Sequence, residues 1–153
     1  MKIKKNKYQK GQSMVEFAIM LTIMLTLLAG SVDLGSAFFA FIALRDAAQE
    51  GALYGSIDSV IDTNKNGIYD TGESLNSAAI IARVRQSSDQ PVDLTDMTDV
   101  TVAVDYTDHS QPICAGNGII VTVTYNYELT MPLIGAIIGT NTIPITASAT
   151  NTI

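Results

Sequence analysis

The 153-residue sequence has no tryptophan, one cysteine and one histidine. With Cys114 as the single thiol, no intrachain disulfide can form, and a bond between chains is the only disulfide open to it. His109 sits in the turn-like segment TDHSQP, and no zinc-binding cluster appears around it. Asp108 and Ser110 flank it, but neighbours on a turn do not point at one another as a catalytic triad requires. There is no phosphate-binding glycine loop and no nucleophile elbow. An enzymatic reading therefore has no residues to stand on.

Basic residues are scarce and unevenly placed. Five of the nine are Lys2, Lys4, Lys5, Lys7 and Lys10, and no acid precedes Glu16. From residue 12 onward four bases face fifteen acids. A basic tip on an acidic body argues against nucleic acid as a partner. It fits a membrane protein whose basic end stays in the cytoplasm.

Apolar residues are plentiful, at 47% of the chain with a mean hydropathy of +0.25, and the excess lies near the N-terminus. Residues 17–32, FAIMLTIMLTLLAGSV, carry no charge. As a helix they span about 24 Å, slightly short of a hydrocarbon core of about 30 Å, and Met14 and Val15 lengthen the run. Past Asp33 the apolar character resumes over residues 34–44. A secretory signal peptide would end in a small-residue cleavage site and a break in composition. Here the pattern runs straight on into a helix.

Within KYQKGQSMVEFAIM, residues 7–20, the chain is basic up to Gly11 and then apolar, with Glu16 set in the apolar part. A carboxylate at this depth is costly unless it snorkels to the interface or finds a partner. Cleavage after Gly11 would make Gln12 the new N-terminus and Glu16 the fifth residue. The new ammonium, on the same helix or on a neighbour's, would then lie within reach of that carboxylate. In a low-dielectric setting such a pair relieves the buried charge and sets the axial register between helices.

Gly11-Gln12-Ser13-Met14-Val15-Glu16-Phe17 resembles the type IV prepilin cleavage motif, a glycine followed by four residues and a glutamate. Glutamate followed by an aromatic residue, here Phe17, is the form seen in Flp and TadE-type pilins of tight-adherence systems. The segment ALRDAAQEGALYGS, residues 43–56, is similar to the end of the TadE-family helix, whose Ala-Ala-x-x-Gly-Ala pattern is matched by Ala47, Ala48, Gly51 and Ala52. The resemblance implies a TadE-like pseudopilin or minor pilin of a tight-adherence (Tad/Flp) pilus. Its implied partners are other pilin or pseudopilin subunits, a prepilin peptidase and the inner-membrane pilus assembly machinery. The implied topology is a single pass, with the N-terminus cytoplasmic and the head extracytoplasmic or carried into a surface pilus. A head this large beside a Flp-type major subunit favours a low-copy role, by analogy.

The sequence divides into a basic leader over 1–11, a transmembrane and assembly helix over 12–55, and a head over 56–153. The helix is expected to continue to about Tyr54. Ala40, Leu44, Ala47, Ala48, Gly51 and Gly55 form a stripe of small residues for close packing, with Arg45, Asp46, Gln49 and Glu50 on the other side. A second short helix is expected over 75–86, with Ile80, Ile81 and Val84 as buried contacts, and a turn-rich acidic connector over 87–96. Strands are expected over 99–106, 118–129 and 142–153, each with apolar residues alternating on one face. Pro144 places the last of them at a sheet edge. One-sided alternation predicts an antiparallel sheet covered by the distal half of the long helix. The fold class is α+β and pilin-like. The apolar excursion MPLIGAIIG, 131–139, reads as a hairpin loop folding over the core or as a contact surface for a neighbouring subunit.

DTNKNGIYDTGE, residues 62–73, is the sharpest local signal in the head. Oxygen-bearing side chains fall at loop positions 1, 3, 5, 9 and 12: Asp62, Asn64, Asn66, Asp70 and Glu73. Gly67 stands at position 6, where the chain must turn sharply, and Ile68 at position 7 offers its carbonyl. Calcium takes six to eight hard oxygen ligands, and this spacing curls them around one point. The loop resembles the EF-hand-like loops of bacterial surface proteins. The short, β-branched SIDSVI before it argues against a complete helix-loop-helix unit. Calcium in this loop implies a structural role, holding the connection between the helices rigid. A second functional class stays open: an uncleaved single-pass protein displaying a calcium-dependent adhesin or binding module. Cleavage after Gly11 separates the two.

Overall fold

The computed structural model describes residues 9–58, 60–65, 73–88, 90–109, 113, 116–130, 135–136 and 138–153. The leader residues 1–8, Asn66, Gly67, Ile68 and Asp70 of the loop, Cys114 and residues 131–134 of the apolar excursion lie outside the described residues. The chain runs α1 (Gln9–Ile57), β1 (Val60–Ile61), β2 (Ser74–Leu75), α2 (Ser77–Gln86), β3 (Val100–Tyr106), β4 (Gly118–Glu128) and β5 (Thr142–Thr152). This is the α+β architecture expected: a long apolar helix whose distal half packs on a small antiparallel sheet, with a second short helix.

α1 has two halves with opposite surroundings. From Met14 to Leu28 its large apolar side chains are exposed on every face, including Phe17, Met20, Met24 and Leu27. A helix that is apolar all round belongs in lipid or among other helices. Its few hydroxyls are satisfied within the helix. Thr22 donates to the Ala18 carbonyl at 2.9 Å, Thr26 to that of Thr22 at 2.8 Å and Ser31 to that of Leu28 at 2.7 Å. Such back-bonding is what lets hydroxyls sit in an apolar medium. The stretch Gly11–Ile57 is long and apolar enough to cross a membrane. The surroundings change at Asp33, which is only 5% exposed and whose carbonyl accepts the Tyr127 hydroxyl at 3.4 Å. Asp33 lies about 32 Å along the helix from Gln12, so the head begins about where a hydrocarbon core ends.

Beyond Asp33 the helix lies along β4 and β5. Ala40, Leu44, Ala47, Ala48 and Ala52 are buried there, while Arg45, Asp46 and Gln49 face outward. The small residues let the helix axis approach the sheet closely, so that Gly51 and Gly55 touch side chains of both the sheet and α2. Leu44, Ile80, Val84, Leu94, Val100, Ile119, Val121 and Val123 complete a dry centre. The sheet order is β3-β4-β5, all antiparallel, with Val102 opposite Val123 and Val123 opposite Ala147.

β5 is an edge strand, as Pro144 requires. The Asn126 N–H donates to Asp99 on the β3 side at 2.9 Å, so the Asn126–Pro144 pair is not a hydrogen-bonded one across β4 and β5. The proline nitrogen therefore points out of the sheet, where its missing N–H breaks no ladder bond.

Three details differ from the sequence-based expectations. α2 begins at Ser77, because Leu75 instead pairs with Val60 in a two-residue ribbon, β1 with β2. Ile81 is half-exposed, because the four-residue step from Ile80 to Val84 aims those two at the core and turns Ile81 aside. The connector over 87–96 is more than a turn, since it sends Val92 and Leu94 into the core. Arg85 anchors its far end by donating to the carbonyls of Leu94 at 2.8 Å and Val100 at 3.4 Å.

Candidate functional site

At the N-terminal end, Gly11, Gln12, Glu16 and Phe17 lie in the first turns of α1 with exposed side chains. Gln12 and Glu16 are brought together: the Gln12 amide donates to the Glu16 carboxylate at 3.1 Å, four residues along the helix. The backbone nitrogen of Gln12 lies one helical turn before Glu16. Gly11 has open space around its Cα. It lies near the start of the described helix, which begins at Gln9. Phe17 is 67% exposed on the apolar surface of the helix.

Among the described residues, the loop shows how its two ends meet. Ile61 pairs with Ser74 in the ribbon, so Asp62 and Glu73 leave and enter it side by side. The Glu73 carboxylate accepts the Thr63 N–H at 3.1 Å, and the Asp62 carboxylate accepts the Lys65 N–H at 2.5 Å. Lys65 adopts φ of 57°, the left-handed conformation that bends the chain back at the fourth loop position. Position 12 is thus tied to position 2, and position 1 curls over position 4. The described residues contain no group of three or more His, Cys, Asp or Glu side chains poised around one point. Only Asp62, Asn64 and Glu73 of the expected ligands fall within them.

Below the ribbon lies a contact that sequence reasoning missed. The Asp58 carboxylate, just past the end of α1, accepts the Tyr54 hydroxyl and the Asn76 amide, each at 3.0 Å. Asn76 immediately precedes α2, so one carboxylate ties the end of the first helix to the start of the second. The hydrogen bond to Asp58, followed by the carboxylate's charge, pushes the Tyr54 hydroxyl above the ordinary tyrosine range. The i, i+4 spacing of Tyr54 and Asp58 was a legible signal; the third partner, from across the loop, was not. A D58A substitution orphans two donors and is expected to cost about 1–2 kcal/mol. It also removes the charge that opposes ionisation, so Tyr54 should form tyrosinate at lower pH. An ultraviolet titration that leaves the tyrosine profile unmoved would count against the contact.

His109 and Asp105 pair on the surface at 2.9 Å, and the His109 ring stacks on Tyr106 with centroids 4.6 Å apart. Both members of the pair are more than half exposed. The Tyr106 N–H donates to the Asp105 carboxylate and holds it below the ordinary range, with His109 adding to the effect. Among the described residues, neither arrangement brings a nucleophile to the histidine.

Residues 11–53 match the family model described as TadE-like protein. The matched span contains Gly11, Glu16, Phe17 and most of the small-residue stripe, and it ends before the loop. No curated protein and no solved structure matches the chain.

Proposed function

We propose that this chain, whose membrane helix is TadE-like and associates it with the tight-adherence (Tad) pilus, is a pseudopilin or minor pilin cut after Gly11 by a prepilin peptidase. The observation that carries this is the placement of Gly11 and Glu16. They open a helix whose first half is apolar on every face and whose second half is sealed onto a sheet. Cleavage removes the basic leader and frees an ammonium at Gln12. That ammonium, from the same chain or from a neighbour, pairs with Glu16 and fixes how far one helix slides along another. The remaining contact between helices is apolar packing of the segment from Met14 to about Val32. The chain crosses the membrane once, with the leader inside and the head outside.

The loop over 62–73 takes one calcium ion in this reading. Asp62, Asn64, Asn66, the Ile68 carbonyl, Asp70 and Glu73 supply the oxygens. The meeting of loop positions 1 and 12 above the ribbon supports it. The ion stiffens the junction between α1 and α2 and performs no chemistry.

Intact mass and N-terminal sequence of the protein from membranes, with and without its prepilin peptidase, test the proposal. The expected mature chain begins at Gln12 and disappears when the peptidase is absent. A chain that keeps its leader in both preparations would sink the pilin mechanism. It would leave an uncleaved, anchored protein displaying a calcium-dependent binding head.

A further inference from the structure

Two features of the membrane-proximal head lie on opposite flanks of α1. One is a ridge. Leu34, Phe38, Phe41 and Arg45 recur at steps of four, three and four residues and so line up along one side of the helix. Leu34 is 74% and Phe38 60% exposed, although both lie past the point where the helix meets the sheet. The other is a groove of about 950 Å³ between α1, the end of α2 and the connector. Ser36, Phe39, Ala43 and Ala47 form one wall, Val92 the other, and Tyr127 part of the floor. Asp46, Glu50 and Arg83 stand among its lining residues, leaving one net negative charge. Ridge and groove start within two residues of each other along the helix, a difference in height of about 3 Å.

The charges on the two flanks are opposite. Arg45 ends the ridge and, among the described residues, makes no ion pair. Asp46 in the groove makes none either, and Glu50 pairs only with Arg83. Copies held in one membrane stand parallel and at one height. Ridge against ridge would then set Arg45 beside its twin, and groove against groove would set one net-negative lining against another and leave the ridge uncovered. Only ridge into groove joins unlike charges while covering the exposed phenylalanines.

We propose that the ridge of one copy docks in the groove of the next, with Arg45 meeting Asp46, as a heterologous contact that repeats around a ring or along a helix. The occupant of the groove is thus a second copy of this chain. The inference rests on the reading that the chain is a membrane-inserted assembly subunit, and it adds a contact in the head to the packing of the apolar segment.

The test uses the full chain in its membranes with Cys114 replaced, C114S. One copy carries L34C on the ridge and the other S36C in the groove, and the two are co-expressed and oxidised. The expected result is a mixed L34C–S36C dimer exceeding either same-site dimer, and a ladder when one chain carries both cysteines. R45E in the ridge copy should reduce the mixed dimer several-fold, and D46R in the groove copy should restore it. Same-site L34C dimers in equal or greater yield would overturn the proposal in favour of a two-fold contact. Absence of cross-links would overturn it by leaving the ridge to lipid headgroups. The N-terminal mass of the same preparations reports cleavage separately. A cleaved chain without cross-links removes this contact alone, and a cross-linked chain with its leader intact removes the pilin mechanism alone.

Discussion

A G51A chain is expected to be less stable than the parent by about 1–3 kcal/mol, the usual range for an overpacked core. Helix propensity alone predicts the opposite, since alanine in an exposed helix interior is better than glycine by roughly 1 kcal/mol. The packing around Gly51 decides the sign. A Cβ there would fall well inside contact distance of a Val84 methyl and 3.2 Å from a Val121 methyl. Both valines are fully buried, one on α2 and one on β4. A β-branched residue in a helix has one strongly preferred rotamer, so Val84 cannot swing aside. The new methyl must then push α1 away from α2 or from the sheet, or both.

The companion experiment separates this mechanism from a general loss of fold. V84A alone opens a cavity and should cost roughly 2 kcal/mol. In the double variant the new methyl fills part of the space that the old ones left. G51A/V84A should therefore be more stable than the sum of the single effects allows, by about 1 kcal/mol or more. Thermal unfolding of the full chain in detergent, followed by circular dichroism, measures all four corners of the cycle. Strict additivity, or a G51A chain at least as stable as the parent, would mean that α1 and α2 do not approach as closely as described. Because α1 carries the ridge, the groove wall and the lead into the loop, its seat on the sheet positions every candidate site in the head.

The elements that the sequence made legible are those with a period. In β4, Ile119, Val121, Val123, Tyr125 and Tyr127 fall on one face and Thr122, Thr124 and Asn126 on the other; the structure buries the first set except Tyr125, which is half-buried. The four-residue steps from Ala40 to Leu44 and from Ala47 to Gly51 announced the packed face of α1 in the same way. The ribbon had no such signal. Two residues on each side cannot display a period, and Leu75 fits a helical pattern as well as a strand. Val92 and Leu94 sit among turn residues, and only the proximity of α2 and β3 explains why they are buried. The candidate sites divide along the same line. Gly11, Glu16 and the loop positions are local in sequence and could be read directly. The Asn76 arm of the Asp58 tie and the groove are made by partners 18 or more residues apart, and no local pattern encodes them.

Calcium should raise the melting temperature of the full chain, and E73Q should abolish that rise. A loop that binds at about 10⁻⁵ M, within the range of such sites, gains roughly 2.7 kcal/mol at about 1 mM calcium through binding the folded state alone. For a head of this size that corresponds to about 10–20 °C. E73Q is an apt probe because a glutamine oxygen can still accept the Thr63 N–H that Glu73 now accepts at 3.1 Å. The fold of the loop end is kept, while the charge and the two-oxygen grip on the ion are lost. If the loop is an ion site, its ligand set carries three carboxylates whose mutual repulsion the ion offsets, and E73Q removes one of those charges. In chelator, E73Q should therefore be at least as stable as the parent; in calcium it should be clearly less stable. This reversal is the signature of an ion site. A solvated Asp/Asn-Gly turn gives no calcium shift in either protein. Magnesium, which keeps its own water shell and demands octahedral geometry, should produce little of the rise. A parent chain whose melting is the same in calcium and in chelator would remove the ion from the proposal while leaving cleavage at Gly11 and assembly through α1 untouched.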